Sequence, residues 1–228
     1  DMNANGIRNW LMTSLSVNNL INESSTLRDR IILEDIPSSQ DYLRAIINAM
    51  KEGKMLEMEY QNFKDTQVYN LVVAPYCVKL FKQRWYMVAK PSDRKELRIY
   101  ALDRIQGLRQ TLRSFAVPEK FDAKEYFCNW FGIVHDEANY KPQKIRLKVW
   151  DRQRHYFRTL RLHDSQQEVE VHDDWSIFEY FMAPTWDLEM DLLQYNDWVE
   201  VLEPLSLREI MKEHAQNITD LYNGKWDE

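Results

Sequence analysis

Between Leu56 and Arg113 the chain breaks into five or six short stretches of strand character joined by tight turns. Leu56, Met58 and Tyr60 alternate with Glu57, Glu59 and Gln61, the period of a half-buried strand. Val68 to Ala74 follows and is stopped by Pro75. Tyr76 to Phe81 and Arg84 to Lys90 form a hairpin across Lys82-Gln83, and Pro91-Ser92-Asp93 is a turn signal. Glu96 to Ala101 and Ile105 to Arg113 complete the set. So many short strands in so little chain leave few solutions. The expectation is a small barrel or a strongly bent sheet.

The flanking segments read differently. Residues 3 to 35 have a helical pattern, with a stripe of Leu11, Leu15, Leu20 and Ile21 and a second segment from Thr26 to Glu34; Pro37 closes it. Ser38 caps a further helix with Asp41 three residues on. Its apolar stripe is Tyr42, Ile46, Ala49 and Met50, and Gly53 ends it. Pro118 to Phe131 leads into a helix capped by Asp122, and residues 136 to 142 read as a polar linker. After it come a strand (Lys144 to Trp150), a helix (Asp151 to Thr159) and a hairpin around Asp173-Asp174. A helix (Trp186 to Tyr195), a strand (Trp198 to Leu202) and a last helix (Ser206 to Tyr222) end the chain. Strands and helices mix without strict alternation, so the expected class is α+β. The expected division is a helical linker or dimerisation segment at 1–37, a strand-rich domain with a leading helix at 38–132, and a C-terminal α+β module at 143–228.

Charge divides the chain. From Lys79 to Arg113 ten Lys/Arg face three Asp/Glu, a net +7 inside a chain of net −6. From Asp164 to Glu228 seventeen acids face three bases. Phe81, Trp85, Tyr86 and Tyr100 interleave with the cations of the basic block. Cations that neutralise phosphate beside rings that stack on bases are the two parts of a single-strand nucleic-acid site. The plainer alternative is a solvated strand face with its aromatics in the core. The acidic module has the same two readings: a docking partner for the basic block, or solvated surface. A net charge of −6 argues against nonspecific duplex binding by the whole surface.

These residues resemble the WYL domain of bacterial transcriptional regulators. Its signature is an apolar run ending in Trp-Tyr-Leu, then an Arg-x-Phe-Arg-x-Asp-Arg-Ile-like strand. Here it reads Trp85-Tyr86-Met87, then Arg98, Tyr100, Leu102, Asp103, Arg104 and Ile105, with Ala101 where the family often carries a second Arg. Val73-Ala74-Pro75-Tyr76, Phe115-x-x-Pro118 and Phe121-Asp122 fit around it. Leu162-His163-x-Ser165-Gln166 and Val199-Glu200-Val201-Leu202-x-Pro204 resemble the extension that accompanies WYL domains. The resemblance covers roughly residues 45 to 222 and implies an SH3- or Sm-like barrel. It also implies an effector-sensing role with a nucleic acid or nucleotide effector, single-stranded rather than duplex. Duplex DNA would be read only by a helix-turn-helix domain absent from this chain, which opens on Asp1. A homodimer is expected.

The candidate ligand contacts are Tyr86, Arg98 and Arg104, with Lys79, Lys82 and Arg84 at a hairpin tip and Trp85 beside them. On one strand, Arg98 and Arg104 would share a face, with Asp103 on the other, and two guanidinium groups can clamp phosphate. The alternative for this pair is salt bridges to Glu57 or Glu59. Alternation puts Trp85, Met87 and Ala89 on one face and Tyr86, Val88 and Lys90 on the other. Trp85 is then mainly structural, and the Tyr86 hydroxyl is free for a ligand. The rival function is a protein-interaction module that docks a partner on the basic face.

No catalytic residue, metal site or cofactor is expected. The chain has no Gly-x-Ser-x-Gly elbow, no His-Glu-x-x-His and no Cys-x-x-Cys, and its five glycines lie far apart. Cys128 reads as a buried small hydrophobe, His163 as a turn or domain-interface residue, and Asp187, Glu189 and Asp191 as acids placed for a helix dipole. Two cysteines make no disulfide framework, no apolar run reaches the length of a membrane span, and no signal peptide is visible, so a cytoplasmic location is expected.

Overall fold

The computed structural model describes residues 40–63 and 66–225. The helices expected over residues 3 to 35 lie outside the described residues. Helix α1 (Gln40–Glu52) turns Ile46 and Ala49 inward, both fully buried, as its stripe predicts. Gly53 ends it at φ +61°, and Phe115 N donates to the Gly53 carbonyl at 2.9 Å, tying the helix end to the far end of the sheet.

Five antiparallel strands follow: β1 (Lys54–Gln61), β2 (Val68–Phe81), β3 (Arg84–Pro91), β4 (Arg98–Ala101) and β5 (Ile105–Ser114). Their order is β4-β3-β2-β1-β5. Alternation buries Leu56, Met58 and Tyr60 of β1 and Met87 and Ala89 of β3 beneath α1, with Tyr100 edge-on to Tyr60 at 5.2 Å. Trp85 packs against the rim of this core.

Two expectations need correction. The sheet is not closed into a barrel: no ladder joins β4 to β5 among the described residues. The chain between those edge strands is spent on a 3-10 turn, Leu102–Arg104, whose Leu102 is buried in the core. Pro75 also does not stop a strand. β2 runs through it for fourteen residues, because the pairing with β3 shifts register between Pro75 and Cys77. A proline survives in a central strand where a bulge spares the ladder. The bulge sets Tyr76 against Phe115 and Phe121.

The β2–β3 hairpin turns on Lys82 and Gln83, both at positive φ (44° and 62°), the backbone that a two-residue turn requires. Neither is glycine, so the turn carries a local cost that contacts at the tip must offset.

A connecting segment, residues 115–142, leads to the second sheet. Its helix, α2 (Ala123–Phe127), is shorter than predicted. Asp122 caps it as expected, accepting from Lys124 N at 2.7 Å and Glu125 N at 2.9 Å. The helix cannot continue because the Asn129 carbonyl accepts from Ala183 N at 2.8 Å and Trp130 bridges to Ala183. Strand pairing with a residue far along the chain overrides local propensity.

The second sheet, order β7-β8-β6-β9, comprises β6 (Gln143–Trp150), β7 (Gln167–Val171), β8 (Trp175–Met182) and β9 (Val199–Glu203). Helices α3 (Gln153–Thr159), α4 (Trp186–Leu193) and α5 (Leu205–Tyr222) accompany it. Ile145, Leu147 and Val149 of β6, Phe178 and Tyr180 of β8, and Leu188 and Leu192 of α4 form its core. Mixed helices and antiparallel sheets make the class α+β, as the sequence pattern implies. No described helix is long and apolar enough to cross a membrane.

Candidate functional site: a basic block with two different ends

The structure splits the basic block. At the β2–β3 tip, every nominated cation has a partner within the protein. Lys79 Nζ donates to the Gly132 carbonyl at 2.5 Å and stands 3.8 Å over the Phe127 ring. Burial pushes its ammonium down to about 8, against the pull of Asp187. Lys82 pairs with the buried Asp191 at 2.8 Å, and Arg84 pairs with Asp103 at 2.8 Å. Phe81 packs against the second core and meets Phe131 edge-on at 5.7 Å. The tip is thus docked into the C-terminal module.

The acids that receive it are those expected to serve a helix dipole. They do something else. Asp187 Oδ2 accepts from Ile133 N at 2.6 Å and Val134 N at 2.8 Å. Asp191, one helical turn on, takes Lys82. Glu189 points elsewhere, to His214 at 3.8 Å, and burial raises its carboxyl. Gly132, at φ +75°, fits closely: a Cβ there would meet Asp187 Oδ2 at 2.3 Å. The signal in the sequence was present but faint: acids four apart on one helix, and lysines three apart on a hairpin tip.

Tyr86 lies on the face opposite Met87, as alternation predicts, but it is buried too. Arg84, Asp103, Arg104 and Asp187 are in electrostatic reach of its hydroxyl, and burial raises its pKa. The C-terminal module thus comes close to that face near the tip.

Arg98 and Arg104 do not share a strand. Arg98 opens β4, while Arg104 closes the 3-10 turn after it. Their surroundings differ. The Arg104 guanidinium lies 4.1 Å from the Phe63 ring centre and beside Tyr60, and its Nε is buried without a hydrogen-bond partner among the described residues. Arg98 is exposed, opposite Ala89, in electrostatic reach of Tyr126 and Asp136. Asp103, expected on the far face, is taken by Arg84, and Glu57 by Arg109. The two arginines therefore stand on different elements in different surroundings, not side by side on one strand face.

At the β3–β4 end the cations stand free. Lys90, Arg94, Lys95 and Arg98 are exposed, and the only ion pair among them in the described residues is a 4.0 Å contact between Arg94 and its neighbour Asp93. An exposed pair at that distance contributes little. Exposed positive charge with only one weak ion pair is available to an incoming phosphate.

The connecting segment lies nearby. Tyr126 stacks on His135 at 4.0 Å and Trp130 covers the other neighbour position at 4.3 Å. Burial pushes the Tyr126 hydroxyl up to about 12 and lowers the pKa of His135. Cys128, expected to be buried, is exposed on this segment. His163 Nδ1 lies 2.8 Å from Ser165 Oγ, and its ring also meets the backbone at Cys128. Among the described residues, no group of three His, Cys, Asp or Glu side chains is placed to hold a metal ion.

Comparison with known proteins adds the following. Residues 41–110 match the WYL domain and residues 141–219 match the WCX domain. No curated protein matches the chain. Among solved structures it is similar to proteasome accessory factor B/C (PafBC) of Arthrobacter aurescens, at 20% identity and a TM-score of 0.35, over 80% of this chain and 27% of that one. It is also similar to a CRISPR Cas-related protein, at 14% identity and a TM-score of 0.49, over 82% of this chain and 54% of that one. The chain thus spans about a quarter and about half of these two proteins.

Proposed function

The chain carries a WYL domain followed by a WCX domain, the make-up of a regulatory, ligand-sensing module, and on that premise we propose that it senses a single-stranded nucleic acid or nucleotide through the β3–β4 end of its basic block. The observation that carries this reading is the contrast between the two ends. Lys79, Lys82 and Arg84 are spent on protein contacts, whereas Lys90, Arg94, Lys95 and Arg98 are exposed and, apart from the 4.0 Å contact of Arg94 with Asp93, form no ion pair among the described residues. Arg98 is the central contact, because it is in electrostatic reach of Tyr126 and Asp136 on the connecting segment. Arg104 is a second anchor for a strand long enough to reach it.

WYL-domain regulators are in general non-enzymatic sensors, and the mechanism needs no catalysis. Ligand at the β3–β4 end changes the first sheet, and the docked β2–β3 tip carries the change to the C-terminal module. A signal of this kind shifts an equilibrium only by the ligand's differential affinity for two arrangements. In this reading the arrangements are two pairings of subunits in a homodimer, and the output is DNA contact by a separate helix-turn-helix domain.

The test compares Arg98→Ala with Arg84→Ala in binding a short single-stranded oligonucleotide and an acidic peptide. Loss of a charged hydrogen-bond partner at Arg98 should weaken oligonucleotide binding by about 1.5–3 kcal/mol, with little change for Arg84→Ala. Equal effects of the two substitutions would refute the assignment. Preference for the acidic peptide would favour a protein-docking role for the same cations.

A further inference from the structure

The connecting segment, whose Tyr126 and Asp136 are in electrostatic reach of Arg98, forms an open depression of about 530 Å3, a volume in the range of small-molecule sites. Its aromatic lining includes Phe121, Tyr126, Trp130 and Tyr140. Tyr126, His135 and Trp130 are already stacked, so their rings are held in place before any ligand arrives. Two carboxylates line the cavity without an ion pair among the described residues, Glu125 and Glu137. Glu137 is in electrostatic reach of both Tyr126 and His135. The remaining charged groups are mostly committed: Asp122 caps α2, and Lys141 donates to the Glu137 carbonyl.

We propose that this cavity takes the base of the nucleotide whose phosphate meets Arg98, and that it selects bases rich in N–H donors. The inference rests on the nucleotide reading above and adds a base-recognition site to it. The chemistry runs as follows. A planar heteroaromatic can stack on a preformed ring platform. Free carboxylates accept hydrogen bonds but offer no donor, so they reward N–H groups and repel phosphate. The phosphate is thereby turned away from Glu125 and Glu137 and toward Arg98, which does not line the cavity. Guanine presents adjacent imino and amino donors to a carboxylate, adenine and cytosine an amino group, and uracil a single imino group. The expected order is guanine, then adenine and cytosine, then uracil.

The location gives the site a consequence. Tyr76 of the first sheet packs edge-on against Phe121 at 5.0 Å, and Asn129 and Trp130 pair with Ala183 at the end of the second sheet. A base in the cavity would touch the joint between the two domains as well as the connecting chain.

The test uses fluorescein-labelled five-residue phosphodiesters, abasic except for a central guanine, adenine or uracil, beside a fully abasic control. Binding to the whole chain is read by anisotropy. The guanine probe should bind roughly tenfold or more tightly than the abasic one. The double substitution Glu125→Gln/Glu137→Gln, at two exposed positions, should erase the guanine preference without weakening abasic binding. Four probes of equal affinity would overturn the base site while leaving the phosphate reading intact. A guanine preference that survives the double substitution would also overturn it. Absence of binding by every probe would sink both proposals.

Discussion

Removing the Asp187 carboxylate should unfasten the joint between the two domains. Asp187 is 7% exposed, and one of its oxygens accepts from two backbone N–H groups, Ile133 and Val134, at 2.6 and 2.8 Å. Each hydrogen bond to a charged acceptor is worth about 1.5–3 kcal/mol, and a donor left half-buried forfeits most of that. Two such bonds sharing one oxygen are not additive. Lys79, whose ammonium is partly buried, also loses the carboxylate that most offsets its burial. Together these give about 3–5 kcal/mol for Asp187→Ala, a large part of a domain's stability. Asp187→Asn keeps an acceptor oxygen but no charge, and should cost about half as much. The assay is equilibrium unfolding in urea, with the midpoint read at constant slope. Gly132→Ala provides a cross-check. In the parent its Cβ would meet Asp187 Oδ2 at 2.3 Å and Cγ at 2.7 Å at a backbone φ of +75°, whereas the Asp187→Ala background removes those two contacts and keeps the one with the residue-187 Cβ at 2.7 Å, besides a backbone penalty of about 1 kcal/mol. The two substitutions should therefore be strongly non-additive. A loss below about 0.5 kcal/mol for Asp187→Ala, or additive costs, would refute the reasoning.

Further outcomes follow from the same contacts. Lys82 is half exposed while Asp191 is 7% exposed, so Lys82→Ala leaves a buried carboxylate with only the Tyr195 hydroxyl as a side-chain partner, whereas Asp191→Asn frees a lysine to solvent and keeps an acceptor for Tyr195; the first should cost about 1–3 kcal/mol and the second less, by urea unfolding. Lys79 titrates near 8 in the folded protein against an ordinary 10.5, so the unfolded chain binds more protons between those values and stability should rise with pH through that window. Cys77, raised to about 11 by burial, opposes this once pH passes its ordinary 9.0, so the rise is cleanest between pH 8 and 9. Unfolding free energies measured across that interval should climb in the parent and stay flat in Lys79→Met.

Much of this architecture was legible locally. The alternation of Leu56, Met58 and Tyr60 placed β1 in the correct orientation, and the stripe through Ile46 and Ala49 identified the buried face of α1. Signals that reside in a few neighbouring residues survive folding when the core agrees with them. Two of the misreadings involve pairing between strands or segments separated along the chain, and the third a local turn. Pro75 looked like a stop because the register shift that accommodates it is a property of β2 and β3 together. The helix after Asp122 looked longer because Ala183, which ends it, lies more than fifty residues away. The barrel failed to close because residues 102–104 serve as a turn.

The site followed the same rule. Arg98 was visible as a cation in a strand context, and its exposure follows from its place at the start of an edge strand. Which cations are already engaged was not visible. Lys79, Lys82 and Arg84 look no different in sequence from Lys90, Arg94 and Lys95. Only the fold brings Asp191 to Lys82 and the Gly132 carbonyl to Lys79. Charge runs reveal a field, whereas free charge depends on tertiary pairing.

The most direct test of the account is the affinity of this chain for a short single-stranded oligonucleotide across a series of salt concentrations. Four free cations at the β3–β4 end, each meeting one phosphate, predict saturable binding whose logarithm falls against the logarithm of salt with a slope of about −2 to −3. Arg98→Ala should make that slope shallower by about 0.7. No binding at low salt, or binding that is indifferent to salt and to Arg98, would contradict the account.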